Sequence, residues 1–182
     1  MDFIGSDATP LSRESAVRCL IGQMAHGEGS VSSLGGNCRE YYKMNQSIAR
    51  NFFCIGAMDH AYALSYAASM GFTSGRIFCI DGEGSFVMHA GNTALLAGVS
   101  PPNIIHIVIY DGVYASTGNH TVTIRRENMA SLARGFPRAE VLCRRCERSR
   151  KGMPGLQSTL IIVTVNSSTQ SNLQATSQNP HE

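Results

Sequence analysis

Two apolar runs of strand length, residues 76–80 (RIFCI) and 104–110 (IIHIVIY), stand out from the mixed sequence around them. The second is nearly continuous and rich in β-branched residues, the pattern of a strand covered on both faces of a parallel sheet. Between the two, Ser85–Val99 carries Phe86, Val87, Ala90, Ala94 and Leu95 at helical spacing, and Pro101-Pro102 ends that segment. Upstream, Ala16, Val17, Leu20, Ile21 and Met24 form one stripe over Leu11–Met24. That predicts a helix with Ser12 as N-cap and Gly27 as stop. Ser30–Leu34 predicts a short strand ending in Gly35-Gly36, and Asn37 is placed to cap a short helix through CREYYKM. Asn51–Ile55 reads as a further extended run, and Met58–Met70, small and apolar throughout, predicts a buried helix. Downstream the pattern predicts a helix over Ile124–Ala133 and strands over Ala139–Cys143 and Thr159–Val165.

Strands alternating with helices predict an α/β domain of three layers, α/β/α, around a mainly parallel sheet. Residues 1–10 read as a loose lead-in, 11–165 as the domain, and 166–182 as a polar tail. The tail is rich in Ser, Gln, Asn and Thr, a composition too polar to bury a core. The chain of 182 residues shows no internal repeat and no interdomain linker, so one domain is expected.

Composition changes this picture little. With 43% hydrophobic and 15% charged residues the chain is an ordinary globular sequence. A formal net charge of +2 is too small to point to nucleic acid. Cys79 lies within an apolar strand and Cys19 on the apolar side of a helix, so both read as small buried hydrophobes in a reducing, cytoplasmic setting. The N-terminus has an acid at position 2 and no basic segment of a secretory signal, and no apolar run reaches bilayer length. No membrane role is expected. Nine of the fifteen basic residues fall between Arg125 and Lys151, around a lone Cys143-Arg-Arg-Cys146. Zinc needs four ligands and no second pair follows, so a solvated basic face or a contact to a partner subunit is the favoured reading of that stretch.

The candidate chemistry sits at the ends of the two apolar runs. The first delivers Gly82-Glu83-Gly84 with Ser85 behind it, and the second delivers Asp111-Gly112. One strand–helix–strand repeat separates the acids, so adjacent parallel strands would bring them side by side where open α/β sheets bind ligands. The glycine-rich dinucleotide fingerprint fails, because Val87 stands where its third glycine would fall, and no Gly-Lys-Ser/Thr phosphate loop is present. Two carboxylates beside an anion call for a hard divalent cation, so a metal diphosphate with Mg²⁺ is the expected ligand.

These residues resemble the thiamine-diphosphate motif, in which Gly-Asp-Gly is followed at a similar distance by Asn-Asn. Here Gly82-Glu83-Gly84 is followed by 25 residues and then Tyr110-Asp111. The wording around the motif is similar to one branch, the phosphonopyruvate and sulfopyruvate decarboxylases. The segments CIDGEGSFVMH, PPNIIHIVIYDGV and YASTGNH all have counterparts there, as do Gly56-Ala57-Met58-Asp59-His60-Ala61 and Gly35-Gly36-Asn37-Cys38-Arg39-Glu40. The closing STLIIVTVNSSTQSNL is similar as well, so the resemblance spans about residues 11–175.

The resemblance implies a thiamine-diphosphate-binding fold and a set of roles. Glu83, Asp111 and the carbonyl of Val113 correspond to the metal ligands. Gly82, Gly84 and Ser85 correspond to the turn that holds the diphosphate, with Gly35 and Gly36 in the loop opposite. Gly56 and Ala57 lie at the backbone contact to the aminopyrimidine, and Met58 is the apolar wedge that bends the cofactor. His60 stands among the cofactor-contact positions; for His60 and His120 a substrate role competes with a structural one, which is the favoured reading of each, and His106 reads as structural. Four positions depart from the pattern: Glu83 replaces aspartate, Asp111 replaces asparagine, Asp59 replaces glycine, and Gly36 replaces lysine.

The implied activity is decarboxylation of phosphonopyruvate or sulfopyruvate, small anionic 2-oxo acids. The glutamate that activates the cofactor belongs to a pyrimidine-binding domain, and no glutamate here sits in a matching context. A partner domain or subunit is therefore expected, in a homo- or hetero-oligomer. The alternatives are a non-catalytic relative serving as an interaction module, or a truncated product of a full-length decarboxylase.

Overall fold

The computed structural model describes residues 3–4, 11–45, 50–72, 75–133, 138–142 and 159–166. The paired cysteines Cys143 and Cys146, most of the basic stretch and the polar tail lie outside the described residues.

Among the described residues, seven parallel strands form the sheet: β1 (Phe3–Ile4), β2 (Gly29–Ser32), β3 (Asn51–Phe53), β4 (Ile77–Gly82), β5 (Ile104–Tyr110), β8 (Arg138–Leu142) and β9 (Thr159–Thr164). Their order is β1-β8-β9-β5-β4-β2-β3, with every neighbouring pair parallel. The two runs that dominate the sequence, β4 and β5, lie side by side within the sheet. Side chains alternate between faces along a strand, and β5 shows why its run is apolar throughout. Ile104 and Val108 pack into one core with Tyr62, Phe86, Met129 and Leu160. Ile105, Ile107 and Ile109 pack into a second core with Val17, Leu20, Tyr41, Phe78 and Ile80. Helices α1 (Arg13–Gln23) and α2 (Gly36–Met44) cover the second face. Helices α3 (Ala61–Gly71), α4 (Glu83–Met88) and α6 (Arg126–Ala133) cover the first. The three-layer α/β/α architecture is thus the expected one.

Local signals account for most boundaries. Ser12 caps α1, its hydroxyl accepting from the Ser15 amide at 3.1 Å, as the stripe predicts. Several details differ from expectation. Asn37 does not cap α2; it lies inside the first turn, and the N-cap is Gly35 at φ +93°, where glycine carries no Cβ penalty. The helix expected over Ser85–Val99 starts two residues earlier and is broken at His89 into α4 and α5 (Ala90–Val99). Helix α3 is buried along one side only, with Leu64 and Met70 exposed. The lead-in contributes β1, paired parallel to β8, which two residues of sequence cannot announce.

Past β5 the chain forms a small hairpin, β6 (Val113–Tyr114) against β7 (His120–Thr121), around a single 3-10 turn at Ala115–Thr117. Cys38, Cys54 and Cys79 are buried free thiols. Burial raises each above its ordinary range, Cys54 to about 11, so none is poised as a nucleophile. Cys19 departs from the expected buried thiol: it is half-buried and disulfide-bonded. Among the described residues no helix is long and apolar enough to cross a membrane.

Candidate functional site

The C-terminal ends of β2, β3, β4 and β5 converge. Strand order reverses at β2, which has β3 on one side and β4 on the other, the kind of switch point at which open α/β sheets bind ligands. Register pairs Gly82 with Ile109, so Glu83, one residue on, and Asp111, two residues on, leave the sheet at the same end. Glu83 is 4% exposed. Its Oε1 accepts from the amides of Asp111 at 3.2 Å and Gly112 at 2.8 Å. Asp111 Oδ1 accepts from the Val113 amide at 3.1 Å, which draws the start of the hairpin onto the site. The three residues assigned to a metal are therefore brought together by adjacent strands and one turn.

Burial raises the Glu83 carboxyl to about 8, and the neighbouring Asp111 charge, within hydrogen-bonding reach, adds to the shift. Two carboxyl groups in contact, each accepting from backbone amides, are oxygen donors of the kind a hard cation takes. On that chemistry the residues fit a divalent metal.

The loops around this pair carry the other candidates. Ser85 is buried, and its hydroxyl accepts from Ser33 Oγ at 3.0 Å and from the Asp59 amide at 2.8 Å. It ties the β2, β3 and β4 loops together, and one proton remains for it to donate. Gly84 lies under the Tyr114 ring: a Cβ there would stand 2.5 Å from Tyr114 Cε1 and 3.2 Å from Met58 Cε. The expected wedge residue is thus against the expected diphosphate turn. Gly56 has φ +79° and open space beside it, so its backbone is accessible to a ligand. Gly82 faces Asn37, whose Nδ2 lies 3.1 Å from a Cβ built there. Asn37 Oδ1 is buried without a hydrogen-bond partner.

Asp59 follows Met58 with φ +75°, a left-handed conformation that disfavours any residue with a Cβ. Its carboxylate contacts His60 Nδ1, and its other oxygen lies 3.3 Å from His89 Nδ1. The two imidazoles approach edge to face at 5.9 Å. His60 is exposed, and its raised pKa comes first from the Met58 carbonyl and then from Asp59. Replacing Asp59 with glycine is expected to raise stability by about 1 kcal/mol, by relieving the backbone. It should also lower the His60 pKa while leaving it above the ordinary value, since the Met58 carbonyl stays. Thermal melting and an NMR titration of the imidazoles read both effects.

His120 is exposed on β7. His106 is 1% exposed and stacks on Tyr62 at 4.5 Å, a structural placement. Sequence reasoning missed Arg13 altogether. It lies on α1, 98 positions from Asp111, and is only 5% exposed. Its Nη2 donates to Asp111 Oδ2, and its Nη1 lies 2.7 Å from where a Gly36 Cβ would be. Nothing local marks it, because α1 reads as a packing helix. His89, Ser33 and Tyr114 were missed for the same reason: each matters only through a neighbour distant in sequence.

Residues 29–143 match the family described as thiamine pyrophosphate enzyme, C-terminal TPP binding domain. The chain belongs to this family. It is 28% identical over 128 residues to a phosphonopyruvate decarboxylase of Streptomyces hygroscopicus, covering 70% of this chain and 31% of that protein. It is 27% identical over 124 residues to the sulfopyruvate decarboxylase subunit beta of Methanocaldococcus jannaschii, covering 68% of this chain and 65% of the subunit. A solved thiamine diphosphate-dependent 4-hydroxybenzoylformate decarboxylase of Rhodococcus jostii RHA1 superposes with a TM-score of 0.70 at 14% identity, covering 91% of this chain and 34% of that one. A thiamin diphosphate-dependent enzyme from Mycobacterium smegmatis gives the same TM-score at 15% identity, covering 86% of this chain and 32% of that one. The fold is that of thiamine-diphosphate enzymes, and the chain spans about a third of the Streptomyces relative and of both solved chains.

Proposed function

We propose that this chain is the diphosphate-binding half of a thiamine-diphosphate-dependent 2-oxo acid decarboxylase. Its substrate is phosphonopyruvate or sulfopyruvate, and a pyrimidine-binding partner completes the site in an oligomer. The observation that carries this reading is the Glu83–Asp111 pair at the ends of β4 and β5. It stands in a segment similar along its length to decarboxylases of these two acids.

Glu83, Asp111 and the Val113 carbonyl would hold Mg²⁺. The backbone of Gly82, Gly84 and Ser85 would hold the diphosphate, with Gly35 and Gly36 across from it. Gly56 and Ala57 would present backbone to the aminopyrimidine, and Met58 would pack beneath the ring system. Thiamine diphosphate supplies an electron sink for the pair released as carbon dioxide leaves. This chain's residues bind, orient and exclude water, and the proton donor to the cofactor ring comes from the partner. His60 and His89 both approach Asp59, the neighbour of Met58, and would meet the acidic end of the substrate.

The test is release of carbon dioxide from each acid by this chain alone and with a pyrimidine-binding subunit from the same source. Saturable thiamine diphosphate uptake is followed in parallel by calorimetry. No turnover alone and turnover with the partner is the expected result. Turnover by the chain alone would overturn the need for a partner. Failure to take up the cofactor with a partner present would favour a non-catalytic interaction module.

A further inference from the structure

Two carboxylates and a diphosphate gathered around one divalent cation leave a surplus of negative charge, and burial makes that surplus expensive. A buried cation that faces the site from a separate element would offset it. Arg13 is such a cation. Its guanidinium is on Asp111 Oδ2, the oxygen that the Val113 amide does not use. Both side chains of the pair are 6% exposed. Arg13 Nε is buried with no hydrogen-bond partner, so the group still has a donor to offer. The guanidinium lies in space that a side chain at position 36 would contest: a Cβ there would lie 2.7 Å from Nη1 and 3.3 Å from Cζ. A lysine at 36 would both collide with the guanidinium and repel it.

We infer that Arg13 is a positioning residue for the metal–diphosphate site, a fixed counter-charge that makes Asp111 behave as a neutral ligand. This rests on the reading above that the site takes a metal diphosphate. Three features act together on this view. Asp111 brings a charge, Gly36 opens the space, and Arg13 fills it with the opposite charge. Arg13 lies outside residues 29–143, the segment that carries the family match, so the match itself does not assign it.

A purely structural arginine and a counter-charge differ in what removing it does to a cation and to an anion. Taking away the positive charge should help the cation and harm the anion. Mg²⁺ alone, and inorganic pyrophosphate at saturating Mg²⁺, are titrated calorimetrically into the intact chain, Arg13→Gln, and Arg13→Gln/Asp111→Asn. With Arg13→Gln, Mg²⁺ should bind about threefold or more tighter and pyrophosphate about tenfold or more weaker. The double variant should return Mg²⁺ affinity close to that of the parent chain. Parallel weakening of both probes, or no change in either, would overturn the inference.

Thermal melting without ligand provides an independent arm. Arg13→Gln strands a buried carboxylate and should melt roughly 5–10 °C lower, and the double variant should recover most of that loss. Absence of recovery overturns charge compensation whether or not pyrophosphate binds. If the parent chain takes up neither probe, the cofactor reading fails, while recovery in the double variant would still establish Arg13 as the counter-charge of Asp111.

Discussion

Replacing Glu83 with glutamine should remove a loss of stability that the metal-free chain suffers between about pH 5 and pH 8. The folded carboxyl titrates near 8, against 4.5 for the same group in water, because burial and the Asp111 charge both disfavour its anion. Between those two values the unfolded chain has released the proton and the folded chain still holds it. Unfolding therefore releases a proton, and raising the pH drives it. Stability falls through this window and levels off once the folded group has ionised. The total is of the order of several kcal/mol for a shift of this size. Glutamine keeps the shape and the acceptor oxygen for the Asp111 and Gly112 amides, and it carries no charge to strand. Thermal melts from pH 5 to pH 9 should show a falling profile for the parent chain and a nearly flat one for Glu83→Gln, the variant being the more stable at pH 8. Saturating Mg²⁺ should flatten the parent profile as well, by stabilising the anion. A parent profile flat without metal would show that Glu83 is not held in its neutral form.

The second large effect is expected at Gly84. A methyl group there would stand 2.5 Å from Tyr114 Cε1, 3.1 Å from Cδ1 and 3.2 Å from Met58 Cε. A real Cβ does not tolerate the first of these distances, so the Tyr114 ring or the turn has to shift. Tyr114 adjoins Val113 on β6, and the Val113 amide is bonded to Asp111. Moving the ring therefore disturbs the strand that carries the third proposed metal contact. Gly84→Ala should cost about 1–3 kcal/mol in stability, as overpacking does. In the chain complemented by its partner, thiamine diphosphate affinity should fall by about tenfold or more. The double variant Gly84→Ala/Tyr114→Ala separates the two causes. If the ring is the obstacle, the double variant regains the stability lost. If affinity returns with it, the turn itself tolerates the methyl group. Unchanged affinity in the single variant would exclude this turn from the diphosphate site.

Much of this was legible from local pattern. The apolar run of β5 demanded cover on both faces, because alternate side chains point to opposite sides of a strand. The stripe over Ala16, Val17, Leu20, Ile21 and Met24 demanded a helix on one side of the sheet. The acids at the ends of β4 and β5 were paired by topology, since consecutive strands joined through helices lie parallel and present their C-terminal ends together. Where the sequence misled, the cause was a partner elsewhere in the chain. Asn37 has the chemistry of a cap, but its amide lies against Gly82 and leaves the cap to Gly35. The long helix expected after Ser85 breaks at His89, next to the Asp59 contact. Cys19 sits in an apolar stripe and is nonetheless bonded to another cysteine.

The sequence by itself determined the alternation of strands and helices, the two acids and their shared end of the sheet, and the motif wording that places the chain in its family. These follow from periodicity and from residues close together in the chain. Only the tertiary structure decided the electrostatics of the site. The raised pKa of Glu83, the contact of Asp59 with His60 and His89, and the Arg13 guanidinium on Asp111 all depend on distances between side chains. The physical reason is that charge interactions and burial act through space. Arg13 and Asp111 are 98 positions apart in the chain and in contact in the fold, and no local pattern records that distance.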